Sequence, residues 1–151
     1  MSDKIASTLN DLIETSRDGE QGFRASAEDT RNAELKAVFL RRAEDCTKAI
    51  GELQRLVTAM GVKPEQGGTV AGAMHRGWVN LKAAVSSRDD LAILEECERG
   101  EDVAKARYRK ALDETLPEDI RIVVQRQYEG AVRNHDQIRD LRDRYKSMKA
   151  A

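Results

Sequence analysis

Apolar residues recur along this chain at alternating steps of three and four positions, which is the spacing of one face of an α-helix. The pattern fills four long stretches, residues 3–29, 32–61, 90–116 and 117–147. In the second stretch the stripe is apolar at every step: Leu35, Phe39, Ala43, Cys46, Ile50, Leu53, Val57 and Met60. A shorter stretch at 70–85 carries Met74, Trp78, Leu81 and Val85. We therefore predict four long helices and one short helix.

The links between these helices predict how they are arranged. Residues 30–32 form a short turn, in which Asn32 can cap the second helix, and Leu116-Pro117 separates the last two helices. Helices joined by short links pack antiparallel, so the first two and the last two should each form a hairpin. The connection from 62 to 89 is long enough to run the length of the bundle, which is typical of ferritin-like folds. We predict an all-α, ferritin-like four-helix bundle in one domain, residues 1–151, with a long crossover that contains the short helix.

Charge and composition narrow the range of partners. Charged residues make up 35% of the chain but cancel to a formal net charge of -1, whereas nucleic-acid binders usually carry a basic excess. No apolar run approaches the roughly 20 residues needed to cross a bilayer. Residues 1–12 lack the basic start and apolar centre of a secretory signal. We therefore expect a cytoplasmic protein without nucleic-acid or membrane partners, in which Cys46 and Cys97 are buried, reduced thiols.

The apolar stripes are interrupted near the middle of three of the four long helices. Because the helices are similar in length and packed side by side, these interruptions should meet in one polar layer of the core. The interrupting residues are Ser16, Gly19 and Glu20 in the first helix, Glu98 and Glu101 in the third, and Gln127, Asn134 and His135 in the fourth. A bundle core is expected to be apolar unless a polar group is needed there, so this layer is the candidate functional site.

Two interpretations of the polar layer remain open, because a buried carboxylate is costly unless it is paired, hydrogen-bonded or bound to metal. In the first, Glu20, Glu98, Glu101 and His135 bind a single iron, manganese or zinc ion, for which oxygen and imidazole donors are suited. In the second, an arginine or lysine neutralises the glutamates, and no cofactor is expected. We favour the second interpretation, because a stripe assigned from sequence can be wrong by one position.

A complete di-iron centre has less support. Ferritin-like di-iron proteins supply a Glu from each of two helices and Glu-x-x-His from each of the other two. Here Glu44 is followed at that spacing by Thr47, and Glu129 is followed by Val132. His135 lies six residues after Glu129, which places the two side chains on different faces of the helix. Neither Glu-x-x-His motif is present, so oxidase, peroxidase or ferroxidase chemistry loses its main support.

Several separated segments of the chain form a recognisable set. They are Asn10–Glu14 with Asp18-Gly19 and Gly22-Phe23, then Gly72–Trp78, then Leu94–Asp102, and finally Gln125–Tyr128 with Arg133–Asp136. In this order they resemble a bacterial family of ferritin-like four-helix-bundle proteins of unknown function. The resemblance covers nearly the whole chain. It implies a compact bundle in the bacterial cytoplasm, and it implies no particular activity.

The most unusual short motif is His75-Arg76-Gly77-Trp78 in the crossover. In one interpretation, Trp78 and His75 line a small-molecule pocket on the flank of the bundle. In the other, Trp78 anchors the crossover by filling the space left by a glycine in the middle of a long helix. A large aromatic side chain in a chain with few aromatics is more often an anchor, so we favour the second.

Together these features favour a non-catalytic bundle with a stress-related or protein-interaction role, which self-associates through a helix face, for example as a dimer. The first alternative is a metal-binding ferritin-like protein with a reduced, mononuclear site in the bundle core. A di-iron oxidoreductase is the weaker alternative. The metal-dependent alternatives require Glu20 and Glu101 to converge beside His135. The non-catalytic alternative requires apolar or salt-bridged surroundings for the same two carboxylates.

Overall fold

The computed structural model describes residues 2–64, 78–87 and 89–150 of the chain. Within these ranges it contains helices and no strand, so the all-α prediction is confirmed. The helices are α1 (Ser2–Asp29), α2 (Ala33–Ala59), α3 (Leu81–Ser87), α4 (Asp90–Leu112) and α5 (Glu118–Ala150). The four long helices and the short helix of the crossover follow one another in the predicted order.

The observed bounds correct the prediction in two places. Of the short helix predicted at 70–85, positions 70–77 lie outside the described residues; among the described ones, residues 79–80 form a turn and the helix runs from Leu81 to Ser87. The helix predicted to reach 116 ends at Leu112, with Asp113 as its C-cap. Proline disfavours a helical conformation in the residue before it. Leu116 therefore cannot readily continue a helix, and Pro117 lies just before α5.

Local signals set the ends of α2 and α4. Asn32 accepts a hydrogen bond from the backbone N–H of Leu35 at 3.1 Å, and Asp89 accepts one from Leu91 at 3.1 Å. These caps satisfy backbone N–H groups that have no partner within the helix. Gly61 follows α2 with a φ of 77°. Glycine adopts this left-handed conformation without steric penalty, and it commonly ends helices.

The four long helices pack as a ring. α1 packs along α2 and against α4, and α4 packs along α5. α2 and α5 close the ring, but they touch over a much shorter stretch. α3 lies on the other side of the bundle, against α1 and α4. α2 and α4 are therefore diagonal partners across the core, and the seam between α2 and α5 is an open side of the bundle.

Two apolar clusters occupy the two ends of the core. One cluster includes Phe23, Phe39, Leu94 and Ile138, and the other includes Leu9, Leu12, Leu53 and Val124. Buried Ser16, Glu101 and His135 lie on the helices between the two clusters. Polar side chains therefore occupy the middle of the bundle, where the sequence predicts a polar layer.

Trp78 anchors the crossover between α1 and α4. Its side chain is 3% exposed, and its indole lies against Gly22 and Gly100. A Cβ added at Gly22 would lie 2.5 Å from the indole Cε3, and one at Gly100 would lie 2.3 Å from Cε2. The indole also packs edge-on to the Phe23 ring, with centroids 5.2 Å apart. The anchor interpretation is confirmed, whereas His75 lies outside the described residues.

Both cysteines are free and buried, as predicted. Burial raises the pKa of Cys46 to about 12 and also raises the pKa of Cys97 well above its ordinary value. A thiol acts as a nucleophile only as the thiolate, so neither cysteine is a candidate catalytic residue.

None of the helices within residues 2–64, 78–87 and 89–150 is long and apolar enough to span a membrane.

Candidate functional site

An ion pair across the diagonal of the bundle forms the centre of the polar layer. Arg42 on α2 donates from Nε to Oε1 of Glu101 on α4 at 2.8 Å, and from Nη2 to Oε2 at 3.4 Å. The two side chains are 13% and 3% exposed. Paired hydrogen bonds between a guanidinium and a carboxylate are among the strongest polar contacts in proteins. The central carboxylate of the layer is therefore neutralised by an arginine.

The surroundings of Arg42 keep its guanidinium charged. Burial opposes the charge, but the nearby Cys46 sulfur and the Glu101 carboxylate outweigh it and raise the pKa of Arg42 above its ordinary value. The guanidinium carbon also lies 5.7 Å from the centroid of the Phe23 ring, a distance at which a cation is attracted to the ring face. Gly19 leaves room beside this group, because a Cβ there would lie 3.0 Å from the Cys46 Sγ.

A second polar group lies between α4 and α5 and contains two of the predicted site residues. His135 Nε2 is 3.7 Å from Oε2 of Glu98 and 2.7 Å from Oδ1 of Asp102. The other ring nitrogen, Nδ1, is 3.1 Å from Oδ1 of Asp136. Glu98 is in addition paired with Arg142. The imidazole is thus enclosed by carboxylates, each of which has its own partner or contact with water.

Glu20, the remaining predicted site residue, lies at the interface of α1 and α2. It accepts a hydrogen bond from the Thr47 hydroxyl and lies 3.5 Å from the Arg24 guanidinium. Its side chain is 26% exposed. The structure therefore brings Glu98 and His135 together, while Glu101 and Glu20 each have separate partners.

A cavity of about 370 Å³ opens beside the Arg42–Glu101 pair, between the four long helices. Small residues on the facing helices create this space: Gly19, Ala49, Gly100, Ala104, Gly130 and Ala131. The buried end of the cavity is lined by Ser16, Trp78 and Tyr108, whereas the exposed lining residues Lys48, Arg126 and Arg133 all belong to α2 or α5. The mouth of the cavity therefore lies in the open seam between α2 and α5, and we call the whole space the α2–α5 cleft.

A chain of hydrogen bonds crosses the α2–α5 cleft and ties three helices together. Tyr108 donates to Oε1 of Gln127 at 2.8 Å, and Gln127 Nε2 donates to Oε1 of Glu52 at 3.0 Å. Arg126 donates to Oε2 of Glu52 at 2.6 Å. This hydrogen bond from Arg126 lowers the pKa of Glu52, and burial raises the pKa of Tyr108 to about 12. The cleft is thus polar but contains no group set up as a base or nucleophile among the residues named here.

The amino-acid sequence matches a family model described as "Domain of unknown function (DUF2383)" over residues 4–114. The chain belongs to this family. The match spans α1 to α4, and with them Arg42, Trp78 and Glu101. The predicted resemblance to a family of unknown function is therefore confirmed. No curated protein matches the sequence.

Two solved structures show the fold of this DUF2383 chain. A two-domain protein from Anabaena variabilis, with DJ-1/ThiJ/PfpI-like and ferritin-like domains, is similar at a TM-score of 0.76 and 14% identity. The similarity covers 100% of this chain and 38% of that one, so this chain spans well under half of that relative's length. The dodecameric thioferritin of Bacteroides fragilis, a bacterioferritin-related protein, has a TM-score of 0.81 and 12% identity, covering 99% of this chain and 90% of that one. The predicted ferritin-like bundle is therefore confirmed.

The residues of this DUF2383 chain do not fit the di-iron centre that a ferritin-like fold implies. The central carboxylate, Glu101, is held by Arg42. Glu44 is 63% exposed on α2, and Glu129 is an exposed residue that accepts a hydrogen bond from Gln125. Within residues 2–64, 78–87 and 89–150, no group of three or more His, Cys, Asp or Glu side chains is arranged to hold a metal ion.

Sequence reasoning missed Arg42, Asp102 and Tyr108 as members of the site. Arg42 directly precedes Ala43 of the apolar stripe, and its long side chain reaches the core from the edge of that stripe. Asp102 lies four residues after Glu98, so the two share a helix face. Tyr108 falls at helical spacing after Glu101 and Ala104, where an aromatic residue is typical of a core position, but a buried tyrosine hydroxyl needs a hydrogen-bond partner.

Proposed function

We propose that this chain is a non-catalytic binding protein of the bacterial cytoplasm, a single-domain bundle whose central charge is balanced by arginine and not by metal. The observation that supports this most directly is the paired hydrogen bond between Arg42 and Glu101 in the middle of the bundle. A metal cation beside Glu101 would have to displace a buried, permanently charged guanidinium or share the carboxylate with it. Two positive charges this close repel strongly where water is excluded.

The surroundings of the predicted site residues also support this proposal. Glu20 and Glu101 are each paired with an arginine, which is what the non-catalytic alternative requires. Both cysteines are protonated at neutral pH because burial raises their pKa values. A stress-related or protein-interaction role is compatible with such a site, because either depends on binding and not on a reactive group.

The alternative of a mononuclear metal site has one observation in its favour. Glu98 and His135 lie 3.7 Å apart, and Asp102 is next to the same ring nitrogen at 2.7 Å. Carboxylate and imidazole donors suit iron, manganese or zinc. His135 is already in contact with Asp102, and Glu98 is paired with Arg142. A metal bound by His135 and Glu98 would therefore require both contacts to break.

Elemental analysis of the untagged, full-length chain tests the proposal. Protein purified from cells grown with added iron should contain much less than one iron, manganese or zinc ion per chain. Its melting temperature should not change when any of the three metals is added. One metal per chain that is lost in His135→Ala and retained in the exposed control variant Glu44→Gln would instead establish the mononuclear site.

Self-association is part of the same proposal. The Bacteroides fragilis neighbour is a dodecamer, and by analogy we propose that this chain forms a homo-oligomer, with a dimer as the simplest form. We propose that the contact is made through a helix face. Light scattering on the purified chain should give a mass above that of one chain, and a monomer at all concentrations would contradict this part of the proposal.

A further inference from the structure

The charges that line the α2–α5 cleft do not cancel within it. Of the acidic residues, Glu101 is held by Arg42 and Glu52 by Arg126, while Asp45 lies 3.9 Å from a further nitrogen of Arg42. Lys48 and Arg133 line the same cleft from α2 and α5. Neither forms a hydrogen bond or ion pair with another residue in the described part of the chain. Two cationic side chains without a partner therefore remain at the mouth.

A glycine on α5 leaves room beside one of these cations. Gly130 on α5 carries no side chain, and a Cβ placed there would lie 3.6 Å from Nη2 of Arg133. The guanidinium of Arg133 thus lies over Gly130 at the exposed edge of the cleft. Arginine in this position presents several N–H donors to a carboxylate or phosphate oxygen.

The lining of the cleft includes apolar side chains. Trp78 is buried at its inner end, and Ala104 and Ala131 line the same cleft. The volume of about 370 Å³ is at the small end of the range for small-molecule sites, about 300–1,000 Å³. An aromatic or short aliphatic group would fill this end and bury apolar surface against the indole.

We propose that the α2–α5 cleft binds a small organic anion, with its carboxylate or phosphate between Lys48 and Arg133 and its apolar part against Trp78. This inference rests on the proposed function of a non-catalytic binding protein without a metal in its core. The Arg42–Glu101 pair forms the polar floor of the site, and the Tyr108–Gln127–Glu52 chain of hydrogen bonds fixes its side wall. Free inorganic phosphate lacks the apolar part that the inner wall would recognise.

A matched set of nitroaromatic probes tests this proposal. Trp78 is the only tryptophan of the chain, and nitroaromatic compounds quench indole fluorescence on contact. The probes are 4-nitrobenzoate, 4-nitrophenyl phosphate, neutral 4-nitrobenzyl alcohol and cationic 4-nitrobenzylamine, with dissociation constants checked by calorimetry. We expect at least one anion to bind at least about tenfold more tightly than the neutral and cationic probes. Its affinity should decrease as added salt screens the charges. Comparing carboxylate with phosphate shows which head group the site prefers.

Charge-reversal variants identify the residues responsible. Lys48→Glu and Arg133→Glu should each lower the affinity for the preferred anion at least about tenfold, which corresponds to about 1.4 kcal/mol of binding free energy. Lys36→Glu, an equal charge change at an exposed position of α2 outside the cleft, should leave the affinity unchanged. Ala104→Leu should abolish binding by filling the inner end. All four positions are compared at equal helix content by circular dichroism.

Three outcomes would overturn the inference: equal affinities for all four probes, no quenching by any of them, or an equal effect of Lys36→Glu and Lys48→Glu. Metal content is measured on the same samples. Metal-free protein that binds no probe would contradict this inference and leave the proposed function standing. Stoichiometric metal would contradict the proposed function, and anion binding that then disappeared on chelation would overturn the inference as well.

Discussion

The Arg42–Glu101 pair allows a quantitative test of the idea that an arginine stabilises the middle of this bundle. The variants are Arg42→Met, Glu101→Met and the double variant. With charge centres about 4 Å apart and an effective dielectric constant of about 20, the attraction between the two charges is about 4 kcal/mol. Both side chains are nearly buried, at 13% and 3% exposure, so screening by solvent reduces this attraction only slightly.

Each single variant leaves an uncompensated charge in the core, so it should lower the free energy of unfolding by about 3–5 kcal/mol. The double variant removes both charges and both desolvation penalties, and it should unfold within about 1–2 kcal/mol of the wild type. The coupling energy between Arg42 and Glu101 should therefore exceed about 3 kcal/mol. A loss of this size is a large part of the total stability of a typical domain, about 5–15 kcal/mol.

Urea unfolding followed by circular dichroism at 222 nm gives these free energies, with equal m-values as the check on two-state behaviour. The control is the exposed pair Arg24–Glu44, whose nitrogen and oxygen are 3.9 Å apart and whose side chains are 44% and 63% exposed. Its coupling energy should be below about 1 kcal/mol. The reasoning is refuted if the single losses at Arg42 and Glu101 add in the double variant, or if each single loss is as small as at the control pair.

Three further predictions concern stability. Gly100→Ala should destabilise the bundle by about 1–3 kcal/mol because its Cβ would lie 2.3 Å from the Trp78 ring, whereas Gly51→Ala, with its nearest neighbour at 3.5 Å, should stabilise α2 by about 0.5–1 kcal/mol; thermal unfolding of both variants checks the opposite signs. Burial raises the pKa of Glu96, so ionisation of this side chain costs stability as the pH rises from the ordinary value of about 4.3 through the raised pKa. Melting temperatures from pH 4 to 8 should therefore fall for the wild type relative to Glu96→Gln, and a constant difference across this range would contradict the assignment. Asn32→Ala should cost about 1 kcal/mol by removing the cap of α2, and chemical unfolding that shows no loss would mean that the cap is not formed in solution.

The helices and their order could be predicted because they depend on a local signal. Apolar spacing placed α1, α2 and α5 nearly as observed, and Asn32 marked the start of α2. The level of the polar layer could also be predicted, because helices of similar length that lie side by side bring their midpoints together. The end of α4 was placed too late, since an apolar stripe does not show where a backbone must leave a helix to accommodate Pro117.

The partners within the polar layer could not be predicted, because a long side chain crosses several ångströms from the helix that carries it. Arg42 lies beside the apolar stripe of α2 and still reaches Glu101 on the diagonal helix. Glu20 follows Gly19 in the stripe of α1, but its carboxylate turns to Thr47 and Arg24. One residue along a helix changes the direction of a side chain by about 100°. The stripe alone therefore does not show whether a residue next to it points into the core or towards a neighbouring helix.

The α2–α5 cleft could not be predicted from the sequence for a different reason. Alanine and glycine are compatible with a core position on any single helix, so Ala104, Gly130 and Ala131 raise no signal one at a time. Empty space arises only when small residues on several helices face one another. Glu96 was hidden in a similar way: its carboxylate accepts the backbone N–H of Asn80 at 2.8 Å, a contact that depends on the path of the crossover.

The position of Trp78 has a consequence for the order in which the chain folds. The indole rests against one glycine that precedes it in the sequence and one that follows it, so its socket exists only once α1 and α4 lie side by side. The hairpin of α1 and α2 can assemble earlier, from contacts that are local in sequence. We therefore expect the indole to dock after the α1–α2 hairpin has formed. A crossover passing on the wrong side would find no pair of glycines and would leave a large aromatic side chain in water.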